Sequence, residues 1–129
     1  MAPTFLTLEE VVAINVDQIR NYGGGLGIRD QALLESAVAM PTAAIEDRFL
    51  HSDLYEMAAA YLFHLVKNHP FVDGNKRVGA VAADIFLTLN GLRMTAHPDE
   101  YADLVLDVAQ SKMNKSSVAD FFRVHTIAN

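Results

Sequence analysis

The stretch His69-Pro70-Phe71-Val72-Asp73-Gly74-Asn75-Lys76-Arg77 separates two runs of helical apolar spacing, and its turn chemistry decides how the chain folds around it. Pro70 disfavours helical geometry at the residue before it, which places His69 at a helix exit with its ring presented on a turn. Asp73-Gly74 reads as a tight turn, and Asn75 is the expected N-cap of the helix that follows. Upstream, a helix opens near Asp53, with Glu56 three residues on, and runs to about Asn68. Its apolar stripe is Leu54, Met57, Ala58, Tyr61, Leu62 and Leu65. Downstream, a helix from about Asn75 to Asn90-Gly91 is expected to turn Val78, Val81, Ala82, Ile85 and Leu89 inward.

Further out the same period continues. Thr7-Leu8-Glu9-Glu10 has the form of a capping box and opens a helix to about Asn21, which Gly23-Gly24-Gly25-Leu26-Gly27 stops. Asp30 caps a short helix through Leu33, Leu34 and Val38, ended by Pro41. After an extended piece over 92–96, Pro98 suits a first helical position, and Tyr101, Leu104, Val105 and Val108 follow at helical spacing. Ser116 or Ser117 is the expected cap of a last helix anchored by Val118, Phe121 and Phe122. The pattern predicts one all-α domain over 1–129, an irregular bundle of about six helices, with at most a short extended segment near 92–96.

Composition bounds the chemistry. A formal charge of −6 argues against direct nucleic-acid binding through a broad basic face, though not against one local anion site. The absence of cysteine removes thiolate catalysis and cysteine-ligated zinc. The start Met-Ala-Pro-Thr-Phe-Leu lacks the pattern of a secretory signal, and Ala58 to Val66 is too short an apolar run to cross a membrane. A soluble, cytoplasmic protein with no membrane partner is expected.

Lys76 and Arg77 fall in the first turn of a helix, where the dipole is already positive and each cation costs about 0.3–1 kcal/mol. A bound polyphosphate reverses that sign, because free N–H groups and cations then converge on negative charge. Asp73 suits a Mg²⁺ ion that bridges phosphates, and His69 can take a proton from an attacking hydroxyl. The alternative is an ordinary helix-to-helix turn whose Lys-Arg pair is simply solvated. The dipole conflict favours the functional reading.

This stretch resembles the signature of the Fic/Doc superfamily, whose common form is His-Pro-Phe-x-Asp/Glu-Gly-Asn-Gly-Arg, here with Lys76 in place of the last glycine. That replacement is typical of the death-on-curing branch, toxins of toxin–antitoxin pairs. Tyr22-Gly23-Gly24, Gly27-Ile28-Arg29-Asp30, Leu33-Leu34-Glu35-Ser36-Ala37 and Pro41 are similar to the same branch. The resemblance covers most of residues 5 to 125 and implies the following roles. His69 would be the catalytic base and Phe71 the buried anchor of the loop. Asp73 would hold Mg²⁺ on the phosphates, Gly74 and Asn75 would supply the anion hole, and Lys76 and Arg77 would bind the nucleotide. Lys76 implies ATP bound with its γ-phosphate toward His69 and phosphate transfer to a Ser or Thr hydroxyl of a translation elongation factor such as elongation factor Tu. Gly74, where the branch often has Ala, keeps adenylyl transfer as the alternative. A catalytically silent nucleotide-binding module is the reading from outside the enzymes. A cognate antitoxin is the implied inhibitor, since Thr42-Ala43-Ala44-Ile45-Glu46-Asp47 only partly matches the family's self-inhibiting Ser/Thr-x-x-x-Glu-Gly/Asn helix.

Overall fold

A computed structural model of the protein describes residues 2–129. Among them are six α-helices: α1 (Leu8–Tyr22), α2 (Gln31–Ala39), α3 (Leu54–Asn68), α4 (Asn75–Leu89), α5 (Pro98–Ala109) and α6 (Lys115–Val124). Their starts follow local chemistry. In α1, Glu10 N–H donates to Thr7 Oγ1 (3.1 Å) and Thr7 N–H to Glu10 Oε1 (2.9 Å), so the capping box is complete. Asp30 caps α2, Asp53 caps α3, and Pro98 occupies the first turn of α5. The last helix starts differently from expectation: Asn114, not Ser116 or Ser117, is its cap, accepting from Ser117 N–H at 2.8 Å. Asparagine is as good a cap as serine and lies one turn earlier.

The architecture is all-α with small antiparallel pairs at its edge. The extended piece near 92–96 is a strand, Leu92–Met94, and it pairs with Thr126–Ala128, in a register that sets Arg93 against Ile127. Two residues each of Ala44–Ile45 and Arg48–Phe49 form a hairpin, turned by Glu46 and Asp47 at φ of +51° and +64°. The string Thr42–Asp47 is therefore a 3₁₀ turn and a hairpin rather than a helix, and the partial match to a self-inhibiting helix has no structural counterpart.

Helix α3 is the centre of the bundle, packed by α2, α4, α5 and α6. It buries Met57 through Leu62 as well as Leu65 and Val66, more than the single stripe of a surface helix. Helix α4 lies against it on a face shifted from the expected one: Val78 and Ala82 are buried as expected and Val81 is half-buried, but the stripe does not continue. Ile85 and Leu89 are 36% and 48% exposed, while Val78, Gly79, Ala82, Ala83, Phe86 and Leu87 are buried. A stripe drawn through large apolar residues misses contacts made by small ones. Gly79 is the closest point: a Cβ there would lie 2.8 Å from Val66 Cγ2 and 3.1 Å from the Leu62 carbonyl oxygen.

Two histidines lie between α3 and α6. The partly buried His64 ring places Nε2 3.1 Å from Lys115 Nζ, and burial, then Lys115, then His51, holds its pKa down to about 4. His51 is 6% exposed, its Nδ1 has no hydrogen-bond partner, and burial lowers its pKa as well.

Two outcomes follow. Gly79→Val should lower the unfolding free energy by roughly 1–3 kcal/mol in urea melts, as overpacking against fixed backbone does, whereas the exposed Leu89→Ala should move it little. Because the folded pKa of His64 lies below the ordinary 6.5, the unfolded chain binds the extra proton first. Stability should be complete above pH 6.5 and decline from there toward about pH 4. A urea midpoint followed against pH should show that decline flattened in His64→Gln.

Candidate active site

The chain leaves α3 through His69, which sits in the left-handed region at φ 51° and ψ 50°. Pro70 makes right-handed helix unfavourable at this position, so the helix stops where the sequence predicts. The Pro70 carbonyl then accepts the N–H groups of Arg29 (2.7 Å) and Asp30 (3.0 Å), and Val72 N–H donates to the Gly27 carbonyl (3.0 Å). Phe71 is 1% exposed, sunk in the core as the anchor of the loop.

Asn75 closes the loop. Its Oδ1 accepts from Phe71 N–H at 2.9 Å and its Nδ2 donates to the Phe71 carbonyl at 3.0 Å. This corrects the expected capping role: Asn75 is the first residue of α4, and the cap is Gly74, left-handed at φ 79°, with no side-chain hydrogen bond to the helix. Asn75 is 4% exposed with both ends of its amide engaged, so its contribution to a bound anion is confined to its backbone N–H. The start of α4 thus carries N–H groups that no capping side chain occupies, which is the requirement for an anion site.

His69, Asp73, Gly74, Asn75, Lys76 and Arg77 line a single cavity of about 360 Å³, completed by Val66 and Ala109. That volume lies within the ~300–1,000 Å³ of small-molecule sites. Asp73 is exposed and its pKa is lowered, chiefly by the Gly25 N–H donated to Oδ2 at 3.1 Å, helped by Gly74 N–H, Arg77 and His69. It is a carboxylate at neutral pH. Lys76 makes no hydrogen bond or ion pair with the other described residues, and Arg77 donates to the Gly23 carbonyl at 3.1 Å beside the Tyr22 ring.

The structure adds residues that the sequence did not single out. The glycine stretch Gly23–Gly27 is more than a helix stop: it braces two lining residues, giving Asp73 an N–H and Arg77 a carbonyl. A Cβ at Gly24 would lie 2.9 Å from Asp73 Oδ2, so glycine there permits the approach. Asn15, 2% exposed, donates through Nδ2 to the Asp73 carbonyl at 3.0 Å. Its signal was available, since it interrupts the apolar row Val11, Asn15, Ile19 on α1. Lys67 and Asn68 are engaged with protein, Lys67 with Ser111 and Asn68 with the Leu33 carbonyl.

Asp73 supplies one ionised carboxylate, and no group of three His, Asp or Glu among the described residues could hold a metal unaided. That donor set fits Mg²⁺ in its usual manner, on one carboxylate with phosphate oxygens and water as the other ligands.

The family model for the Fic/DOC family matches residues 5–87, which spans α1 through the body of α4 and the whole loop. The chain belongs to the Fic/DOC family. It is 40% identical over 100 residues to a protein named Toxin Doc from Mycolicibacterium smegmatis, covering 76% of this chain and 77% of that one. It is 35% identical over 115 residues to a protein named Protein kinase doc from Escherichia phage P1, covering 89% of this chain and 90% of that one.

The buried amide of Asn75 yields a clear expectation. Asn75→Ala orphans a buried N–H and a buried carbonyl, a loss of about 1–3 kcal/mol per unsatisfied group. Asn75→Asp keeps the acceptor but sets a carboxylate against the Phe71 carbonyl. Both should lower the urea midpoint, and hydrogen exchange at Phe71 N–H should accelerate most in Asn75→Ala.

Proposed function

We propose that this chain is the toxin of a toxin–antitoxin pair and acts in the cytoplasm, transferring the γ-phosphate of ATP to a Ser or Thr hydroxyl of a protein. The observation that carries the reading is the convergence in one cavity of His69, an ionised Asp73, the uncapped start of α4 and the unpartnered cation Lys76. The names of the two relatives, a toxin and a protein kinase, support the same class.

In the step proposed, the target hydroxyl oxygen bonds to the γ-phosphorus as the bond to the β–γ bridging oxygen breaks and ADP leaves. His69 takes the hydroxyl proton as general base. The first-turn N–H groups of α4, with Lys76 and Arg77, face the charge that the transferring group and leaving phosphates carry. Bound at Asp73, Mg²⁺ would neutralise phosphate charge. The cationic first turn, unfavourable for the helix alone, becomes favourable with nucleotide present.

The proposed target is a translation elongation factor, with elongation factor Tu as the candidate, and its modification would halt protein synthesis. Inhibition is assigned to a separate antitoxin, consistent with the hairpin at Thr42–Asp47 where a self-inhibiting helix would be needed. One observation favours a second reading. Gly74, left-handed at φ 79°, stands where the death-on-curing branch often has Ala, which brings this loop nearer the adenylyl-transferring form.

ATP labelled at the α or the γ phosphate, incubated with the protein, Mg²⁺ and bacterial lysate, separates these readings. A γ-label on one protein band is expected, reduced ~10²–10⁴-fold in His69→Ala, as loss of a general base requires. Lys76→Gly should lower the γ-label and raise any α-label. An α-label from the unaltered protein would establish adenylyl transfer instead. Bound nucleotide with no label of either kind would make the chain a silent module.

A further inference from the structure

His69 occupies a backbone conformation that a residue with a side chain rarely adopts, at φ 51° and ψ 50°. Its φ and ψ are the angles between two peptide planes, one carrying the Asn68 carbonyl and the other the His69 carbonyl. Both carbonyls are gripped by one side chain. Arg29 Nε donates to the His69 carbonyl at 2.7 Å, and Arg29 Nη2 donates to the Asn68 carbonyl at 3.1 Å. The rigid planar fork of a guanidinium holds its donors at fixed angles, so it fixes the two planes relative to each other. The backbone of the same segment secures the next carbonyl, since Arg29 N–H and Asp30 N–H both donate to Pro70.

We infer that Arg29 is a positioning residue for His69, setting the backbone angles that aim the imidazole into the cavity. Its side chain is exposed and fills no core space, so its removal leaves no cavity behind. It lies outside the lining of the site, and among the lining residues its hydrogen bonds reach only the His69 carbonyl. The pull of Pro70 excludes the right-handed helix at residue 69 but leaves extended conformations open. Arg29 is what selects the left-handed one. Asn68 braces the exit from the other side through its bond to the Leu33 carbonyl.

The inference rests on the reading of His69 as the base, and two readouts keep the two apart. Arg29→Met removes the donors and keeps the stem; Arg29→Lys can reach one carbonyl but cannot bridge both at guanidinium angles. For γ-phosphate transfer, kcat should fall roughly 10–100-fold in Arg29→Met, the scale of an ångström-size misplacement of a reacting group. KM for ATP should stay within about twofold, because the phosphate cradle is untouched. Arg29→Lys should fall between. In ¹H–¹³C spectra, the His69 ring cross-peak, assigned by its loss in His69→Ala, should shift and broaden in both variants. Those of His51, His64, His97 and His125 should hold.

Unchanged kcat together with an unchanged His69 cross-peak in Arg29→Met would overturn the inference. So would a KM that rises in step with the loss of kcat while all five histidine cross-peaks move, since that is general loosening. If Arg29→Met does not fold, Arg29→Lys decides by the same criteria. If the unaltered protein transfers no label, the function reading fails while the His69 cross-peak still decides the role of Arg29.

Discussion

Two hydrogen bonds inside the core, one from Phe71 N–H to the Asn75 amide oxygen and one from the Asn75 amide nitrogen to the Phe71 carbonyl, hold the loop between α3 and α4 in shape. They close a turn whose outer edge lies in water, where Asp73 is exposed and ionised. Phe71 supplies the buried apolar weight and Asn75 the polar match. Between them the backbone bulges outward through Val72, Asp73 and Gly74. His69 lies just before this closure, and Lys76 and Arg77 just after it. The spacing of the site is therefore set by a pair of bonds that no ligand touches. Because they are buried, losing them also leaves polar groups in a place water does not reach.

The features that mark the loop as the candidate site work against folding. Gly74 caps α4 without a side chain, the first turn carries two cations and no acid, and His69 holds a left-handed backbone. Every other α-helix start has a side-chain cap, from Thr7, Asp30, Asp53, His97 and Asn114, and α1, α3 and α5 add acids in the first turn. The contrast within one chain shows that the departure at α4 is local. The body of α4 presses against α3 at Gly79, where close backbone approach replaces bulky contact.

The helices were legible because their punctuation is local. Thr7, Asp30, Asp53 and Pro98 each act within one turn, and the structure places all four where the spacing puts them. The inward face of α4 was not, because Gly79 and Ala83 make their contacts by being small. Apolar size is blind to that. Asn75 illustrates a different limit. Its type is right for a cap, yet a buried partner four residues back competes for the same amide and wins. The hairpin at Ala44–Phe49 and the strand Thr126–Ala128 were invisible for a simpler reason, since two or three residues are too few to show a period.

The site is also wider than its signature. Nine consecutive residues carry the groups proposed to react, but their geometry is held by a second stretch some forty residues earlier. Gly23 and Gly25 contact Arg77 and Asp73, Gly27 pairs with Val72, and Arg29 and Asp30 hold Pro70. Gly25 brings its backbone close because it lacks a Cβ, Gly23 and Gly27 take positive φ that side chains rarely adopt, and each contact uses a main-chain donor or acceptor that any sequence would carry. Such contacts leave no mark on residue type beyond the absence of side chains. What reads along the chain as a flexible stop to α1 is, in three dimensions, the other half of the loop's support. The cluster of glycines and the signature stretch belong to one candidate site, joined through the glycines' backbone rather than through side chains of their own.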